Sequence, residues 1–144
     1  FSGVPLISPL LRLQGHAAVH RSPSGEARRD TLEQLDTLIA RIPSGVSPVV
    51  FPEGTRTRDG SVGRFRSGAA FHLLRCCNLP IVAVAMNGGW KVATARRLGR
   101  NLQGLRYRVF IEGVYSPPKS REESKELMET IRERLAHRVE RMQM

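Results

Sequence analysis

The feature that most constrains the fold is an uninterrupted apolar run at residues 79–86, LPIVAVAM. Such a run is typical of a strand that is covered on both faces. Segments with a helical spacing of apolar residues precede and follow it. This alternation predicts an α/β fold, in which a layered sheet carries helices on its faces. Because the chain has 144 residues and no internal repeat, we expect a single domain over 1–144.

The remaining elements are predicted from the period of the apolar residues and from the turn residues that end each segment. Helices are predicted over 26–42, 65–77 and 127–142, and strands over 15–21, 47–51 and 106–114. Residues 3–13 are apolar and contain two prolines, so we expect a short broken helix or a docking segment there. No apolar run approaches the roughly 20 residues that a membrane-spanning helix needs.

The net charge of +10 is concentrated in one stretch of the chain. Residues 54–111 contain eleven basic residues and a single acid, Asp59, whereas residues 1–53 and 112–144 are each balanced. A basic excess of this kind favours an anionic partner, such as a nucleic acid, a phosphorylated metabolite or an acidic membrane surface. The structural alternative is a solvated basic face that has no partner.

The cysteines and histidines give no indication of a metal site. Cys76 and Cys77 are adjacent, and neighbouring cysteines form a disulfide only with strain. We expect both to be small core residues of a protein in a reducing compartment. The four histidines have no metal-ligand spacing, apart from a weak pairing of His16 and His20 on one side of the predicted strand.

The stretch VVFPEGTRTRDG, residues 49–60, carries most of the chemical information. It begins as a predicted strand and ends as a polar loop, and ligands of α/β proteins bind beyond the carboxyl ends of strands. Arg56 can hold two phosphate oxygens at once, Gly54 allows close approach of the backbone, and the Thr55 hydroxyl can donate a hydrogen bond. Glu53 suits a ligand that carries hydroxyl groups as well as an anion, or it orients a nearby guanidinium.

A simple turn at a strand end, held by a surface pair of Glu53 and Arg56, is the structural alternative to a ligand site. Other phosphate and nucleophile motifs do not fit the chain. Residues 63–68, GRFRSG, have the glycine spacing of a P-loop but lack the Lys and the Ser or Thr that must follow. No Gly-x-Gly-x-x-Gly opens a helix, and no Ser occupies a Gly-x-Ser-x-Gly elbow.

The same stretch resembles the signature of the glycerolipid acyltransferases, the family of 1-acylglycerol-3-phosphate acyltransferases. That signature is Phe-Pro-Glu-Gly-Thr-Arg followed by Ser or Thr, and residues 51–57 match it throughout. Similarity extends to FRSGAAFHLL at 65–74, LPIVAVAMNG at 79–88 and RVFIEGVYSPP at 108–118. In the second of these segments, Leu79 and Ala83 depart from the family pattern.

Upstream, PLLRLQGHAAVHR at residues 9–21 is similar to a family block that ends in an acid and an arginine. His20 stands in place of the acid, and Arg21 is kept. The resemblance implies that Glu53, Gly54, Thr55 and Arg56 bind the glycerol phosphate of the acceptor, with Arg21 as a second phosphate contact.

The resemblance also implies an activity and a location. The expected reaction moves a fatty acyl group from a thioester of coenzyme A or acyl carrier protein to a lysophospholipid such as 1-acylglycerol-3-phosphate, in phospholipid synthesis. The thioester is a co-substrate, and no resident cofactor or metal is implied. An anionic membrane surface, met from the reducing, cytoplasmic-facing side, is the expected partner of the basic stretch and the apolar N-terminal residues. Packing in the core is the structural alternative for residues 1–13.

Catalysis in this family uses a His and an Asp separated by four residues, with the His as general base. No such pair occurs in the chain, and in the family it lies upstream of the segments matched here. We therefore expect no catalytic residue within 1–144. We expect instead the C-terminal portion of an acyltransferase domain, truncated before the catalytic block upstream of Phe1, with an apolar face left exposed.

Two other functions remain open from the sequence. One is a non-catalytic lipid-binding relative that keeps the phosphate site. The other is a nucleic-acid-binding module, which the charge suggests. The chain has no recognised nucleic-acid-binding motif, and few aromatic residues lie near its arginines, with Trp90 and Tyr107 the nearest. Nucleic acid is therefore not the expected partner.

Overall fold

The computed structural model describes residues 24–55, 57–66, 68–92 and 106–143. These residues form a mixed α/β structure with three α-helices and a two-stranded sheet. The elements in chain order are α1 (Gly25–Ala40), α2 (Gly68–Cys76), β1 (Ile81–Asn87), β2 (Arg108–Tyr115) and α3 (Arg121–Gln143), with short 3-10 helices at Ile42–Ser44 and Gly89–Val92. The predicted broken helix at 3–13 and strand at 15–21 lie outside the described residues.

The two longer helices each begin at a serine that caps the first turn. The Ser24 hydroxyl accepts a hydrogen bond from the Ala27 amide at 3.3 Å, at the start of α1. At the start of α3, the Ser120 hydroxyl accepts from the Glu123 amide at 3.0 Å, and the Glu123 carboxylate accepts from the Lys119 amide at 2.7 Å. This is a variant of the capping box, and it satisfies backbone amides that the helix cannot pair internally.

The two strands pair antiparallel, with Ile81 opposite Tyr115 and Asn87 opposite Arg108. The register shifts between Ala83 and Val84, where β2 carries one extra residue, Glu112. An unpaired residue in one strand is a β-bulge, which bends the strand and redirects its side chain. The redirected Glu112 carboxylate accepts a hydrogen bond from Arg138 of α3, so the bulge ties the sheet to the helix.

The core lies between one face of the sheet and the helices. Helix α3 packs on β1 and β2, while α2 packs against both α1 and α3. The buried apolar side chains come from every one of these elements except β2: Leu35, Ala70, Leu73, Ala83, Ala85, Met128, Ile131 and Val139. The predicted helices are thereby confirmed, with ends that differ by a few residues from those expected.

The opposite face of the sheet is exposed and apolar. In β1, Val82 is 53% exposed, and its neighbours Val84 and Met86 on the same face are also exposed. Their cross-strand partners in β2, Val109, Ile111 and Val114, are exposed too. The prediction that β1 is covered on both faces is therefore wrong for the described structure, because helices pack on one side only.

The predicted strand at 47–51 does not form. Residues 46–51 have no regular secondary structure, and Val49 and Phe51 are 80% and 65% exposed. A strand requires a neighbour for its backbone hydrogen bonds, and among the described residues only β1 and β2 pair with each other. The loop that follows Phe51 is therefore positioned by its own turns and contacts and not by a strand end.

The adjacent cysteines are free thiols at the end of α2. Cys76 is exposed, so the prediction that both are core residues is wrong for this side chain, while Cys77 is half-buried. Burial, and secondarily the neighbouring Cys76, raises the pKa of the Cys77 thiol. Within the described ranges, no helix combines the length and the apolar character needed to cross a membrane.

Candidate functional site

The signature residues begin with a tight turn. The Gly54 amide donates a hydrogen bond to the Phe51 carbonyl at 3.0 Å, which places Pro52 and Glu53 at the centre of a β-turn. Proline favours the first central position of such turns because its ring fixes φ. Gly54 has φ +63°, in the left-handed region that glycine adopts without strain. The Phe-Pro-Glu-Gly sequence thus encodes a turn directly.

The segment from Pro52 to Arg66, here called the signature loop, is closed at its base by two contacts. The Pro52 carbonyl accepts a hydrogen bond from the Arg66 amide at 2.6 Å. The half-buried Glu53 carboxylate accepts from the Gly63 amide at 2.8 Å. Arg66 also lies against the turn, since a β-carbon added at Gly54 would be 3.4 Å from its Cδ atom. The loop is therefore closed at its base, where its first arm (residues 52–55) lies beside its second arm (residues 62–66).

The far end of the signature loop, residues 57–61, is a second turn, here called the distal turn. One oxygen of Asp59 accepts from the Thr57 hydroxyl at 2.8 Å, the Ser61 amide at 2.9 Å and the Ser61 hydroxyl at 2.7 Å. Thr57 in turn accepts from the Gly60 amide at 3.1 Å. The last signature position, where Ser or Thr is required, thus has a hydroxyl with a structural role.

These hydrogen bonds hold the pKa of the Asp59 carboxyl far below its usual range. The Ser61 hydroxyl is the largest cause, followed by the Ser61 amide and the Thr57 hydroxyl. Hydrogen bonds to the charged form favour ionisation. Asp59 is therefore a carboxylate at any physiological pH, and this carboxylate stabilises the distal turn through the hydrogen bonds that it accepts.

The structure places three of the five predicted site residues, Glu53, Gly54 and Thr55, together in the first turn and its continuation. Thr55 is exposed. Arg56 and Arg21 lie outside the described residues, so the predicted pairing of Glu53 with Arg56 stays a prediction. Among the described residues, the Glu53 carboxylate accepts a hydrogen bond from the Gly63 amide.

Sequence reasoning missed the second arm of the loop. Gly63 and Arg66 contact the signature turn although they lie ten or more residues further along the chain. The alternating arginines Arg64 and Arg66 were a signal, because they follow the signature closely in the basic stretch. Together with Arg58, these exposed guanidinium groups give the loop a positive environment that favours an anionic ligand.

Metal binding finds no support in the described part of the chain, which contains no cluster of three or more His, Cys, Asp or Glu side chains able to hold an ion. The histidine contact found there joins two helices: His72 Nε2 lies 2.7 Å from Asp36 Oδ1 and 4.0 Å from the Cys76 sulfur. The same ring nitrogen of His72 contacts both Asp36 and Cys76. In a catalytic triad, one ring nitrogen contacts the acid and the other contacts the nucleophile, so these three side chains do not have that geometry.

The model of the family described as Acyltransferase matches residues 1–87, which is more than half of the chain and includes the whole signature loop. The chain belongs to the acyltransferase family. The match ends with β1, so β2, which pairs with β1, and α3, which adds buried residues to the core, lie beyond the matched range of this acyltransferase-family chain. The family resemblance drawn from the sequence is confirmed.

Curated relatives of this acyltransferase-family chain carry a more specific name. A 1-acyl-sn-glycerol-3-phosphate acyltransferase of Limnanthes douglasii is 33% identical over 95 residues, covering 64% of the chain and 32% of that protein. A protein of the same name from Limnanthes alba is 32% identical over 95 residues, with the same coverage. A chloroplastic one from Brassica napus is 35% identical over 68 residues, covering 45% of the chain and 20% of that protein.

The chain spans about a third of the length of the first of these relatives. No solved structure matches it.

Proposed function

We propose that the chain is the acceptor-binding portion of an enzyme that transfers a fatty acyl group to a lysophospholipid such as 1-acylglycerol-3-phosphate, in phospholipid synthesis. The donor is a thioester of coenzyme A or acyl carrier protein. The observation that carries the proposal is the folding of the family signature into a closed, basic loop at Glu53 and Gly54. The names of the relatives support the acceptor class. In this proposal, β1 and β2 are two strands of the layered α/β sheet that the sequence predicts.

The chemistry of a glycerol phosphate matches the residues of the loop. Arg56 binds two phosphate oxygens through its planar fork, and Arg21 supplies a second phosphate contact. Arg66, whose stem lies against Gly54, adds positive charge beside the same turn. Glu53 uses one carboxylate oxygen for the Gly63 amide. Its other oxygen accepts a hydrogen bond from a hydroxyl group of the lysophospholipid substrate. This explains why an acidic residue lies in a site that binds an anion.

The catalytic base lies outside residues 1–144 in this proposal. A hydroxyl attacks a thioester only when a base removes its proton during the attack. The chain has no His and Asp separated by four residues. The His72–Asp36 contact joins residues 36 positions apart on α2 and α1, and we assign it to helix packing. The chain itself contributes positioning and charge stabilisation.

The activity experiment uses the 144-residue chain with an acyl-coenzyme A and lysophosphatidate, and follows release of the free thiol. We expect no turnover above background. Turnover that His20→Ala, His72→Gln or Glu53→Gln abolishes would contradict the proposal, because the base would then lie within the chain. A full-length protein that binds acceptor without turnover would favour a non-catalytic lipid-binding relative.

The binding experiment tests the acceptor site without requiring turnover. Glycerol 3-phosphate is titrated into the chain and followed by NMR. Arg56→Lys keeps the charge but loses the fork, and should weaken binding by about 1.5–3 kcal/mol, the value of a hydrogen bond to a charged group. Arg121→Lys, at the start of α3, is the matched control. Equal affinity in both variants would contradict the role of Arg56.

We further propose that the chain adsorbs to anionic membranes from the cytoplasmic-facing, reducing side, with which its free thiols agree. The basic stretch supplies the attraction, so adsorption should weaken with salt, since exposed charges are screened over about 10 Å at 0.1 M ionic strength. Co-sedimentation with anionic and neutral vesicles at two salt concentrations tests this. Equal binding to both vesicle types, or binding to DNA with none to vesicles, would contradict it.

A further inference from the structure

The distal turn is held in a narrow slot between Trp90 and Gln143. Gly60, at the centre of that turn, is buried and has φ +88°. A β-carbon added there would lie 2.5 Å from Trp90 Nε1 and 2.8 Å from Gln143 Nε2. Real β-carbons do not approach other atoms so closely, and the left-handed φ adds backbone strain. The slot therefore admits glycine and excludes larger residues.

The wall formed by Trp90 is fixed by the end of strand β1. Asn87 is buried, with 8% of its surface exposed. Its side-chain oxygen accepts hydrogen bonds from the Trp90 indole at 3.2 Å and from the Gly88 amide at 2.6 Å. Two donors thus satisfy a buried polar group, which fixes the tryptophan ring relative to the sheet.

The wall formed by Gln143 is fixed by the last turn of α3. The Gln143 amide donates a hydrogen bond to the Gly60 carbonyl at 3.0 Å, across 83 positions of sequence. The preceding residue, Met142, has its carbonyl bound by the guanidinium of Arg108 at the start of β2. The end of the helix is therefore anchored to the sheet before it reaches the loop.

We propose that Asn87, Trp90 and Gln143 are positioning residues for the acceptor site. They act through Gly60 of the distal turn and keep the two arms of the signature loop side by side. This inference rests on the proposed function, because it gives the held loop a task in acceptor binding. None of the three residues needs to touch the ligand.

The physical basis is a loop fixed at both ends. At its base, the loop is closed by the Pro52–Arg66 and Glu53–Gly63 hydrogen bonds. Releasing the distal turn would let the arms sample other conformations and lower the fraction of molecules in which the base is closed. The apparent affinity for a ligand falls by the same fraction. The basal hydrogen bonds and ligand affinity should therefore weaken together.

Hydrogen exchange tests the mechanical part of the proposal in the 144-residue chain. The readouts are the amides of Gly63 and Arg66, both hydrogen-bonded in the basal contacts. Gly60→Ala and Gln143→Met should each raise exchange at both amides by about tenfold. Glu140→Gln, an exposed neighbour on the same helix, is the matched control. Exchange in β1 and β2 reports whether the fold as a whole is intact.

Trp90→Phe separates a positioning role from simple packing. It keeps a ring in the slot but loses the hydrogen bond to Asn87, so it should have a smaller effect than Trp90→Ala. Unchanged exchange at Gly63 and Arg66 in Gly60→Ala and Gln143→Met, with the sheet intact, would overturn the proposal.

Titration with glycerol 3-phosphate tests the functional part. The variants that raise exchange at Gly63 and Arg66 should bind it several-fold more weakly than the control. Raised exchange with unchanged affinity would overturn the positioning role. Absence of binding by the unaltered chain would contradict the proposed function instead, and the exchange result would still decide whether the slot holds the loop.

Discussion

The Glu53 carboxylate and the Gly63 amide, ten positions apart, are joined by a hydrogen bond of 2.8 Å. This contact gives Glu53, the acidic residue of the signature, a structural role in addition to any role in ligand binding. A β-carbon at Gly63 would lie 3.2 Å from the same carboxylate oxygen, so the two arms of the loop are closely apposed there. The position of Glu53 is thus set by a residue well outside the signature itself.

Removal of the Glu53 carboxylate should destabilise the chain modestly. Glu53→Ala loses the acceptor for the Gly63 amide, and we expect a loss of about 0.5–1.5 kcal/mol in the free energy of unfolding. Glu53→Gln keeps an oxygen that can accept, so its loss should be smaller. Urea denaturation measures both variants, with Glu133→Ala at an exposed position in the middle of α3 as control. An equal loss in Glu53→Ala and Glu133→Ala would show that the contact contributes nothing.

Asp59 should make the stability of the chain depend on pH in acid. Its folded-state pKa is lowered from the ordinary 3.8, so the carboxylate stabilises the folded state at every pH above that value. The contribution declines as the pH falls below 3.8 toward the folded pKa. Asp59→Asn removes it, so the difference in unfolding free energy between the parent and this variant should shrink in that window. A difference that stays constant from neutral pH to well below 3.8 would contradict the assignment.

The bulge contact should be worth more than a surface ion pair. Arg138 Nε lies 2.6 Å from Glu112 Oε2, and the two side chains are only 25% and 14% exposed. The Arg138 guanidinium also covers the Phe110 ring at 3.9 Å from its centre. Arg138→Met leaves a largely buried carboxylate without its partner, and should cost about 2–3 kcal/mol in the free energy of unfolding.

Arg132→Met is the matched control for that measurement. Arg132 forms an ion pair with Glu129 one turn away on the same helix, and both are more exposed. Exposed pairs of this kind contribute about 0–1 kcal/mol. In thermal or urea unfolding, Arg138→Met should therefore lose much more of the free energy of unfolding than Arg132→Met. Equal losses in the two variants would show that the bulge contact is no stronger than the surface pair.

The helices could be predicted from the sequence because their signals are local. The spacing of Leu35 and its neighbours predicted the buried face of α1, and the spacing of apolar residues from Leu127 to Met142 predicted α3. The start of α3 at Arg121 was missed, because Ser120 and Glu123, which cap it, were not used in the prediction. The run at 79–86 predicted β1 correctly but not its one-sided burial. The prediction of a strand at 47–51 was wrong because a strand needs a neighbouring strand for its backbone hydrogen bonds. Apolar residues alone do not specify where that neighbour lies.

The candidate site was predictable only in part. Family resemblance pointed to the turn at Glu53 and Gly54, whose sequence encodes its own conformation. Arg66 lies in the family-like segment at 65–74, but its contact with the turn could not be predicted. Trp90 and Gln143 could not be found in this way, since their contacts with the loop depend on how distant segments pack. Trp90 and Gln143 reach Gly60 only after the sheet and α3 have assembled.

The exposed face of the sheet gives the last prediction. Val84 and Ile111 lie opposite each other there, 37% and 63% exposed, within a continuous apolar surface. Surfaces of this kind bind environment-sensitive apolar dyes, so the folded chain should enhance the fluorescence of such a dye. The double variant Val84→Thr with Ile111→Thr should reduce that enhancement severalfold while changing the free energy of unfolding by less than about 1 kcal/mol, because threonine keeps the preference for strands. Val49→Thr, an equally conservative change at an exposed position outside the sheet, should leave the fluorescence nearly unchanged. If Val49→Thr lowers the fluorescence as much as the double variant does, the dye binds elsewhere and the sheet face is not the dominant apolar surface of the folded chain.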